Sequence, residues 1–425
     1  MLIRKIFNLL LENSSNLKNI IWKSIQTFGK EGTAYIVFFI CAKFLKPDEM
    51  GQYSYIMSIV FLIRIFSDFG ISVTSSKYVA EYVHTNRYKA NKIFFNSLFL
   101  IIIFTSISLL FLFFFRNFFL KNIFSHFLIM IPMLYFIPIS YLYDGIFRGY
   151  KYFKVNSIIS LVSGFLTLPI LFGLIAKFGI YGAIWSQNIL YFMLCLFSFF
   201  SLKEQIYKLD LKIIKNISSY SIFLGISNIG YYLFARVNII IMGKYNIIED
   251  IAYYDIINTI FLIMLVPMQI ISSTVAPNKS KDFILKKYSS IKSKIVRETV
   301  LLFCIGLIVL LFSIILFPII HKIVLTSYNF KKIYTLFILL GLLIPFRYFS
   351  SYLTTAYIIQ MNLVILLNIT LITSGLINVI LIFLLIGKYG IFGVVTATLI
   401  SQFFYIIIKD ISFYIILFKS EKFKN

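Results

Sequence analysis

A short segment occurs twice in this chain, and the repeat constrains the fold more than any other feature. Residues 177–182 read Lys-Phe-Gly-Ile-Tyr-Gly and residues 388–393 read Lys-Tyr-Gly-Ile-Phe-Gly, an offset of 211 positions. The same offset, without a gap, aligns four further pairs: Ser163 with Ser374, Gly164 with Gly375, Phe172 with Phe383, and Leu174 with Leu385. The sequence therefore predicts two copies of one unit, which we assign to residues 1–205 and 206–425.

The composition indicates that this unit lies in a membrane. Hydrophobic residues make up 60% of the chain and charged residues 13%, and the mean hydropathy is +0.92. A soluble domain is normally about a quarter charged. A bilayer core requires about 20 apolar residues per helix. On this measure the chain contains twelve predicted membrane helices, here called spans 1 to 12, at residues 24–45, 52–76, 93–115, 123–147, 156–177, 180–201, 217–243, 252–276, 297–320, 333–358, 363–387 and 390–417.

The predicted fold is an all-α membrane protein with twelve transmembrane helices arranged as two six-helix bundles. Each repeated segment falls between two spans as a tight turn. With a cytoplasmic N-terminus, 26 basic residues lie in cytoplasmic segments and ten in external ones. This bias predicts that both termini are cytoplasmic. It also accounts for the net charge of +24 without a nucleic acid partner. The basic cluster at residues 279–297 is then an orientation signal, or alternatively a site for anionic lipid head groups.

The sequence offers no enzyme chemistry. Three cysteines and three histidines are scattered, without metal-ligand spacing, and no nucleophile elbow or phosphate-binding glycine loop occurs. The connections between spans are too short for a catalytic domain. We therefore expect no catalytic residue, metal or cofactor. Internal duplication of membrane helices is typical of transporters, which bind their substrates between the repeats.

Four basic residues are counted with neither the cytoplasmic nor the external segments and lie inside apolar runs: Lys30, Arg64, Arg236 and Arg347. A charge at helix-centre depth costs about 2.5–3.5 kcal/mol, so such residues face a bundle interior or a cavity, or they pair. Arg64 and Asp68 are one turn apart on span 2 and are predicted to neutralise each other. In a continuous helix, Ser72 and Ser75 would share their face.

Span 7 shows a similar polar face around Arg236, which has no acidic residue three or four positions away. By helical projection this face contains Ser221, Gly225, Asn228, Tyr232 and Gly243. A cavity role is predicted for Arg236 and Arg347. Alternatively, Arg64 and Asp68 form a structural pair, and Lys30 and Arg347 extend toward the membrane interface. Asp255, near the outer end of span 8, is expected to be solvated, and Asp144 to pair with Arg148.

Four ordered motifs resemble those of a known family. Residues 45–54 (Leu-Lys-Pro-Asp-Glu-Met-Gly-Gln-Tyr-Ser) resemble its entry into span 2, and residues 67–71 (Ser-Asp-Phe-Gly-Ile) resemble a later motif of that span. Residues 145–153 (Gly-Ile-Phe-Arg-Gly-Tyr-Lys-Tyr-Phe) are similar to its connection between spans 4 and 5. Residues 388–401 resemble its span 12 motif. The family is that of Wzx-type O-antigen and capsule polysaccharide flippases, within the multidrug/oligosaccharidyl-lipid/polysaccharide exporter superfamily.

The resemblance implies two bundles around a central, cation-lined lumen in the bacterial cytoplasmic (inner) membrane. The implied substrate is an undecaprenyl-pyrophosphate-linked oligosaccharide, and the implied partners are membrane lipids, a polysaccharide polymerase and a chain-length regulator. Arg64, Asp68, Arg236, Arg347 and Lys30 are the predicted substrate-binding residues. The family often has an aspartate where this chain has Asn238, and asparagine cannot bind a proton as that aspartate could. Glu31 and Asp68 therefore remain as possible ion-coupling acids.

One alternative is a multidrug/cation antiporter of the same superfamily, whose cavity should be net acidic. The charges predicted to lie deep in the spans are four basic and two acidic, which favours an anionic substrate. A third alternative is a non-transporting membrane scaffold. It is disfavoured because burying the charge of Arg236 costs free energy and would then serve no function.

Overall fold

The computed structural model describes residues 32–83, 85–119, 123–202, 207–285 and 288–419, which form helices and connecting turns without a β-strand. We number the α-helices in chain order: α1 Thr33–Phe44, α2 Pro47–Asp68, α3 Ile71–Tyr82, α4 Arg87–Phe114, α5 Arg116–Phe119, α6 Phe124–Gly149, α7 Phe153–Leu202, α8 Leu211–Ala235, α9 Val237–Lys244, α10 Ile248–Ile284, α11 Tyr288–Val324, α12 Phe330–Gly341, α13 Ile344–Leu353 and α14 Val364–Lys419. A π-helical turn, Thr354–Ile358, follows α13.

The helices agree with the twelve predicted spans. In the described part of the chain, eight helical stretches are long and apolar enough to cross a membrane, and the bent pair α8–α9 is a ninth. Two of the eight, α7 and α14, each contain two helices joined at a kink. The shorter α1 is the described part of span 1. The all-helical, twelve-span prediction is therefore confirmed.

Span 2 differs from its prediction because the helix stops at Asp68. Phe69 and Gly70 both adopt left-handed backbone conformations, with φ of 37° and 83°, and α3 begins after them. Glycine suits the second position because φ there is positive and because a Cβ would lie 2.6 Å from the Cβ of Leu224. Residues beyond Asp68 consequently do not continue the helical face of α2, and the predicted common face with Ser72 and Ser75 is wrong.

The sequence repeat is also a repeat of backbone structure. Gly179 in α7 has φ 53° and ψ −128°, and Gly390 in α14 has φ 54° and ψ −133°. Three residues later the chain packs closely on itself in both copies. A Cβ on Gly182 would lie 2.1 Å from the carbonyl oxygen of Leu174, and one on Gly393 would lie 2.5 Å from that of Leu385. Spans 5 and 6, like spans 11 and 12, therefore meet at a single non-helical glycine.

The chain divides into two compact units, Met1–Ile229 and Gly230–Asn425. In the first unit, Gly164 of α7 packs against Thr33 of α1, where a Cβ would approach the threonine hydroxyl to 2.3 Å. In the second unit, the repeat-related Gly375 packs against Leu233 of α8 in the same way, at 2.9 Å. Spans 5 and 11 thus contact the opening helix of their own unit through equivalent glycines. The boundary between repeat copies at residues 205 and 206 stays a prediction.

Helix α8 begins after Asp210, which lies outside the membrane-spanning helices. Its carboxylate accepts hydrogen bonds from the backbone N–H groups of Lys212 and Ile213, at 3.0 and 3.4 Å, and lies 3.6 Å from the Lys92 ammonium. Its own N–H donates to Asn96, at 2.8 Å. The hydrogen bond from Ile213, followed by the contacts with Lys212 and Lys92, lowers the pKa of Asp210.

Candidate functional site

Arg64 lies on α2 against an aromatic surface of the first unit. The guanidinium is 4.1 Å from the centre of the Tyr141 ring and 5.7 Å from that of Phe61. Its buried Nε has no hydrogen-bond partner in the described chain. Cation–π contact of this kind holds an arginine in place without neutralising it. Arg64 therefore retains its charge for another partner.

Arg64 and Asp68 interact electrostatically, as predicted, but they do not form a direct ion pair. The ion pairs found among the described residues do not include it. Asp68 instead accepts a hydrogen bond from the Ser72 backbone N–H, at 2.9 Å, and another from the Ser72 hydroxyl. Because the helix breaks at Gly70, the first backbone N–H groups of α3 have no partner within the helix. The Asp68 carboxylate accepts the hydrogen bond of one of them, that of Ser72, as a helix cap does. The prediction from sequence spacing treated span 2 as one continuous helix, so it included neither the break at Gly70 nor the cap formed by Asp68.

The predicted polar face of span 7 is divided between different partners. In the first unit, Ser221 donates a hydrogen bond to Thr74, at 2.9 Å, and Gly225 packs against the Phe69 ring. The helix breaks at Arg236, where α8 and α9 meet at 54°. Gly243 therefore belongs to a different helix from Ser221.

Arg236 has an acidic partner that its own helix did not reveal. Its Nη1 lies 2.9 Å from Oδ1 of Asp255 on α10, and the two side chains are 23% and 4% exposed. The expectation that Asp255 is solvated is therefore wrong. Asp255 is buried because it compensates Arg236. The pair is 19 residues apart in sequence, and the packing of α9, which begins after Arg236, against α10 brings it together.

Asn238, two residues beyond Arg236, lies in a fully neutral polar network. Its amide donates to the hydroxyls of Tyr254 and Thr398, and its oxygen accepts from Asn378 at 2.6 Å. All four groups are buried. The network joins three helices of the second unit by hydrogen bonds without placing a charge among them.

Arg347 lies on α13 and repeats the environment of Arg64 in the second unit. Its guanidinium is 5.8 Å from the centre of the Phe234 ring and 6.0 Å from that of Tyr405. Its buried Nε lacks a hydrogen-bond partner in the part of the chain described. No ion pair of the described residues includes it. The remaining predicted site residues, Lys30 and Glu31, lie outside the described residues.

Sequence reasoning missed a second set of buried charges. Lys409 is one of the 26 basic residues that were counted as cytoplasmic. Its side chain is instead buried, 1% exposed, and lies 3.2 Å from Asp410. Lys279, assigned to the orientation cluster, donates to Glu298 at 2.7 Å. Glu298 also accepts hydrogen bonds from Tyr352, at 2.9 Å, and from Tyr357. The signal was present, since Lys409 and Asp410 stand inside the apolar run of span 12.

The described membrane helices therefore contain acids with close partners and two arginines, Arg64 and Arg347, that have no carboxylate within ion-pair distance. Asp68 caps α3, and Asp144, Asp255 and Glu298 have basic partners, as Asp410 has in Lys409. The pairing of Asp144 with Arg148, at 3.4 Å, is as predicted. A side chain such as Arg64 or Arg347, fixed on aromatic rings without a carboxylate, can bind an anion. The described residues contain no group of His, Cys, Asp and Glu side chains suited to a metal ion.

Comparison with known proteins identifies the fold. The chain is similar to a multidrug resistance MATE family transporter of the MOP superfamily in its inward-facing conformation, with a TM-score of 0.75 and 15% identity over 95% of this chain and 99% of the other. It is also similar to a MOP superfamily transporter from Pyrococcus furiosus, with a TM-score of 0.60 and 15% identity over 97% and 98% of the two chains. A comparison with curated protein sequences finds no significant match.

Together with the apolar helices, these similarities define a multi-pass, all-helical membrane protein with the MOP transporter fold. The sequence model of the polysaccharide biosynthesis protein family matches residues 16–281, more than half of the chain. The chain belongs to that family.

Proposed function

We propose that the protein is a flippase for lipid-linked oligosaccharides. It moves an oligosaccharide repeat unit, attached to undecaprenyl pyrophosphate, from the cytoplasmic to the outer leaflet of the bacterial inner membrane by alternating access. Family membership and the MOP fold support transport in polysaccharide biosynthesis. The substrate class rests on the charges within the membrane helices. A polymerase and a chain-length regulator would use the product on the outer side.

The observation that carries the proposal is that each unit contains one arginine held on aromatic rings without a directly ion-paired carboxylate. A pyrophosphate that leaves the head-group region needs a fixed positive partner, because an unpaired charge is costly in a low-dielectric medium. Arginine provides two parallel N–H donors for phosphate oxygens. Arg64 and Arg347 are held on aromatic rings, and in the described chain no carboxylate lies within ion-pair distance of either. The apolar lipid tail needs no protein charge and remains in the bilayer.

The acids of the described helices argue against the alternative, a multidrug/cation antiporter. An organic cation would require a carboxylate that is free to receive it. Asp144, Asp255 and Glu298 are already paired with basic side chains, as Asp410 is with Lys409, and Asp68 caps a helix. The similar transporter from Pyrococcus furiosus is described as having a binding pocket of reverse polarity that suggests a different function. In this chain, too, the charges in the membrane helices favour an anionic substrate over a cationic one.

Complementation tests the proposal. A strain that lacks its own flippase and makes a compatible lipid-linked oligosaccharide would receive wild-type protein or single variants, and surface polysaccharide and membrane abundance would be measured. Arg64→Ala and Arg347→Ala should each reduce polysaccharide about tenfold or more at unchanged abundance, since a charge-assisted hydrogen bond contributes about 1.5–3 kcal/mol. Arg64→Lys and Arg347→Lys should retain partial transport, because the charge remains.

Arg116 supplies the matched control. It lies outside the predicted spans, with its guanidinium 5.3 Å from the Phe113 ring centre and 5.7 Å from that of Phe124. Arg116→Ala removes the same kind of aromatic contact and should leave polysaccharide at the wild-type level. Full polysaccharide in both alanine variants at Arg64 and Arg347 would exclude the proposed role. Binding of an organic cation but not of an isoprenoid pyrophosphate by the purified protein would favour the antiporter.

A further inference from the structure

The substrate site proposed above does not use the buried Lys409–Asp410 pair of the second unit. Both residues lie on α14, 1% and 5% exposed, and face α13. A charged pair this far from water is costly unless every donor and acceptor is satisfied. The two members of this pair differ in how well that condition is met.

Lys409 is fully satisfied, and by groups other than Asp410. An ammonium has three N–H donors. Nζ donates to the carbonyl oxygen of Ser350 at 3.1 Å, to the Ser350 hydroxyl at 2.6 Å, and to the Thr354 hydroxyl at 2.7 Å. Three acceptors therefore take all three protons. The lysine is tied to the end of α13 and the start of the π-helical turn.

Asp410 is less well satisfied. The Lys409 Nζ lies 3.2 Å from Oδ1 and the Ser350 hydroxyl is nearby, but neither carboxylate oxygen has a well-formed hydrogen bond in the described chain. This carboxylate has lost its water without gaining a well-aligned donor. Taking up a proton removes the charge that burial penalises. The geometry therefore provides a place where a proton can reside on one oxygen.

The neighbouring charged and titratable groups define what that proton would change. Arg347 of α13 interacts electrostatically with Asp410, as does Tyr414 on α14 itself. Glu298 of α11 accepts hydrogen bonds from Lys279 and two tyrosine hydroxyls. With Asp410 ionised, two cations share one carboxylate. With Asp410 protonated, the positive charge of Arg347 is no longer offset.

We propose that Asp410 is a proton-binding site, and that its protonation makes the charge of Arg347 available to a phosphate. The step is a simple equilibrium in which the carboxylate takes one proton from water and returns it. Proton uptake would then strengthen binding of an anionic head group, and proton release would weaken it. The link to Arg347 rests on the proposed function, whereas proton binding at Asp410 does not.

Infrared difference spectroscopy of the purified, lipid-reconstituted protein between mildly acidic and mildly alkaline pH tests the proton site. Asp410→Asn should remove one carboxylic acid C=O band from the wild-type difference spectrum. The variant should fold, because asparagine has nearly the same shape and Lys409 keeps its three acceptors. Asp250→Asn is the control, since that carboxylate already accepts a hydrogen bond from Lys332 and its loss should leave the band in place.

Thr354→Val provides an independent variant. It removes one acceptor of Lys409, so an N–H turns to Asp410 and stabilises the carboxylate. The midpoint of the band should therefore move to lower pH. A band that persists unchanged in Asp410→Asn overturns the proposal. If that variant cannot be purified, an unshifted midpoint in Thr354→Val overturns it.

Binding of an isoprenoid pyrophosphate in the same preparation tests the link to Arg347. Wild-type protein should bind it more tightly as pH falls, and Asp410→Asn should bind tightly across the range with the pH dependence lost. The same pH dependence in both proteins overturns the link. No binding by wild-type protein at any pH counts against the proposed function instead, while the infrared band still decides the proton site.

Discussion

Loss of Arg236 should destabilise the protein rather than only stop transport. Its partner Asp255 is 4% exposed and would remain in the second unit without a counter-charge. Removing one member of a buried ion pair typically costs about 3–5 kcal/mol, because the other charge is left uncompensated. This is a large part of the 5–15 kcal/mol that stabilises an average domain. We therefore expect Arg236→Ala to lower membrane abundance and the midpoint of thermal unfolding.

A double-mutant cycle separates this effect from loss of a substrate contact. Asp255→Asn in the Arg236→Ala background removes the stranded charge and should recover most of the lost stability. Arg236→Lys preserves the charge opposite Asp255 and should stay close to wild type. Arg64→Ala strands no paired carboxylate and is the stability control. Thermal unfolding in detergent and membrane abundance are measured for wild type, Arg236→Ala, Asp255→Asn and the double variant, which are the four corners of the cycle, and for the two comparison variants.

Two results would refute this reasoning. One is Arg236→Ala at wild-type stability, which would mean that Asp255 finds water or another donor. The other is a double variant no more stable than Arg236→Ala alone, which would mean that the arginine contributes through packing rather than charge. If the double variant is stable but does not transport, Arg236 also has a direct role.

Three other results are expected. Cysteines placed at Lys89 and Lys331 should be labelled from opposite sides of the membrane, cytoplasmic and external, and labelling of both from outside would contradict the topology. Gly182→Ala should cost at least about 1–3 kcal/mol, because its Cβ would overlap a facing carbonyl, whereas Gly173→Ala meets nothing within 4 Å and should be neutral or stabilising on thermal unfolding. The lowered pKa of Asp210 means that its stabilising contribution is present above the unfolded value of about 3.9 and is lost as pH falls through the folded value. The pH dependence of wild-type unfolding in that acidic range should accordingly shrink in Asp210→Asn.

The fold was largely predictable because its signals are local. Apolar runs of about 20 residues identify membrane helices whatever their packing, and the repeated Lys-aromatic-Gly segments mark two of the turns. The breaks within spans 2 and 7 were not predictable in the same way. A helix that ends at Asp68 or at Arg236 keeps an apolar composition on both sides, so hydropathy does not register the break.

The site was predictable in its residue types and not in its pairings. A charge inside an apolar run indicates a functional or compensated residue, and this argument selects Arg64, Arg236 and Arg347 as candidates. Their partners come from other helices, so spacing along one helix could not distinguish the paired Arg236 from the ring-bound Arg64 and Arg347. Lys409 was misassigned for a related reason, since its depth in span 12 depends on where that helix meets α13.

The glycine junctions at residues 179 and 390 have a consequence for biosynthesis. With one non-helical residue between two apolar helices, no polar loop separates spans 5 and 6, or spans 11 and 12. One helix of a pair then cannot enter the lipid while the other is still in the insertion machinery. Each pair must therefore enter the bilayer together as a helical hairpin. The lysines on the open side of each pair, Lys151, Lys154 and Lys203 for spans 5 and 6 and Lys419, Lys422 and Lys424 for spans 11 and 12, outnumber the one lysine at its tip and orient the hairpin.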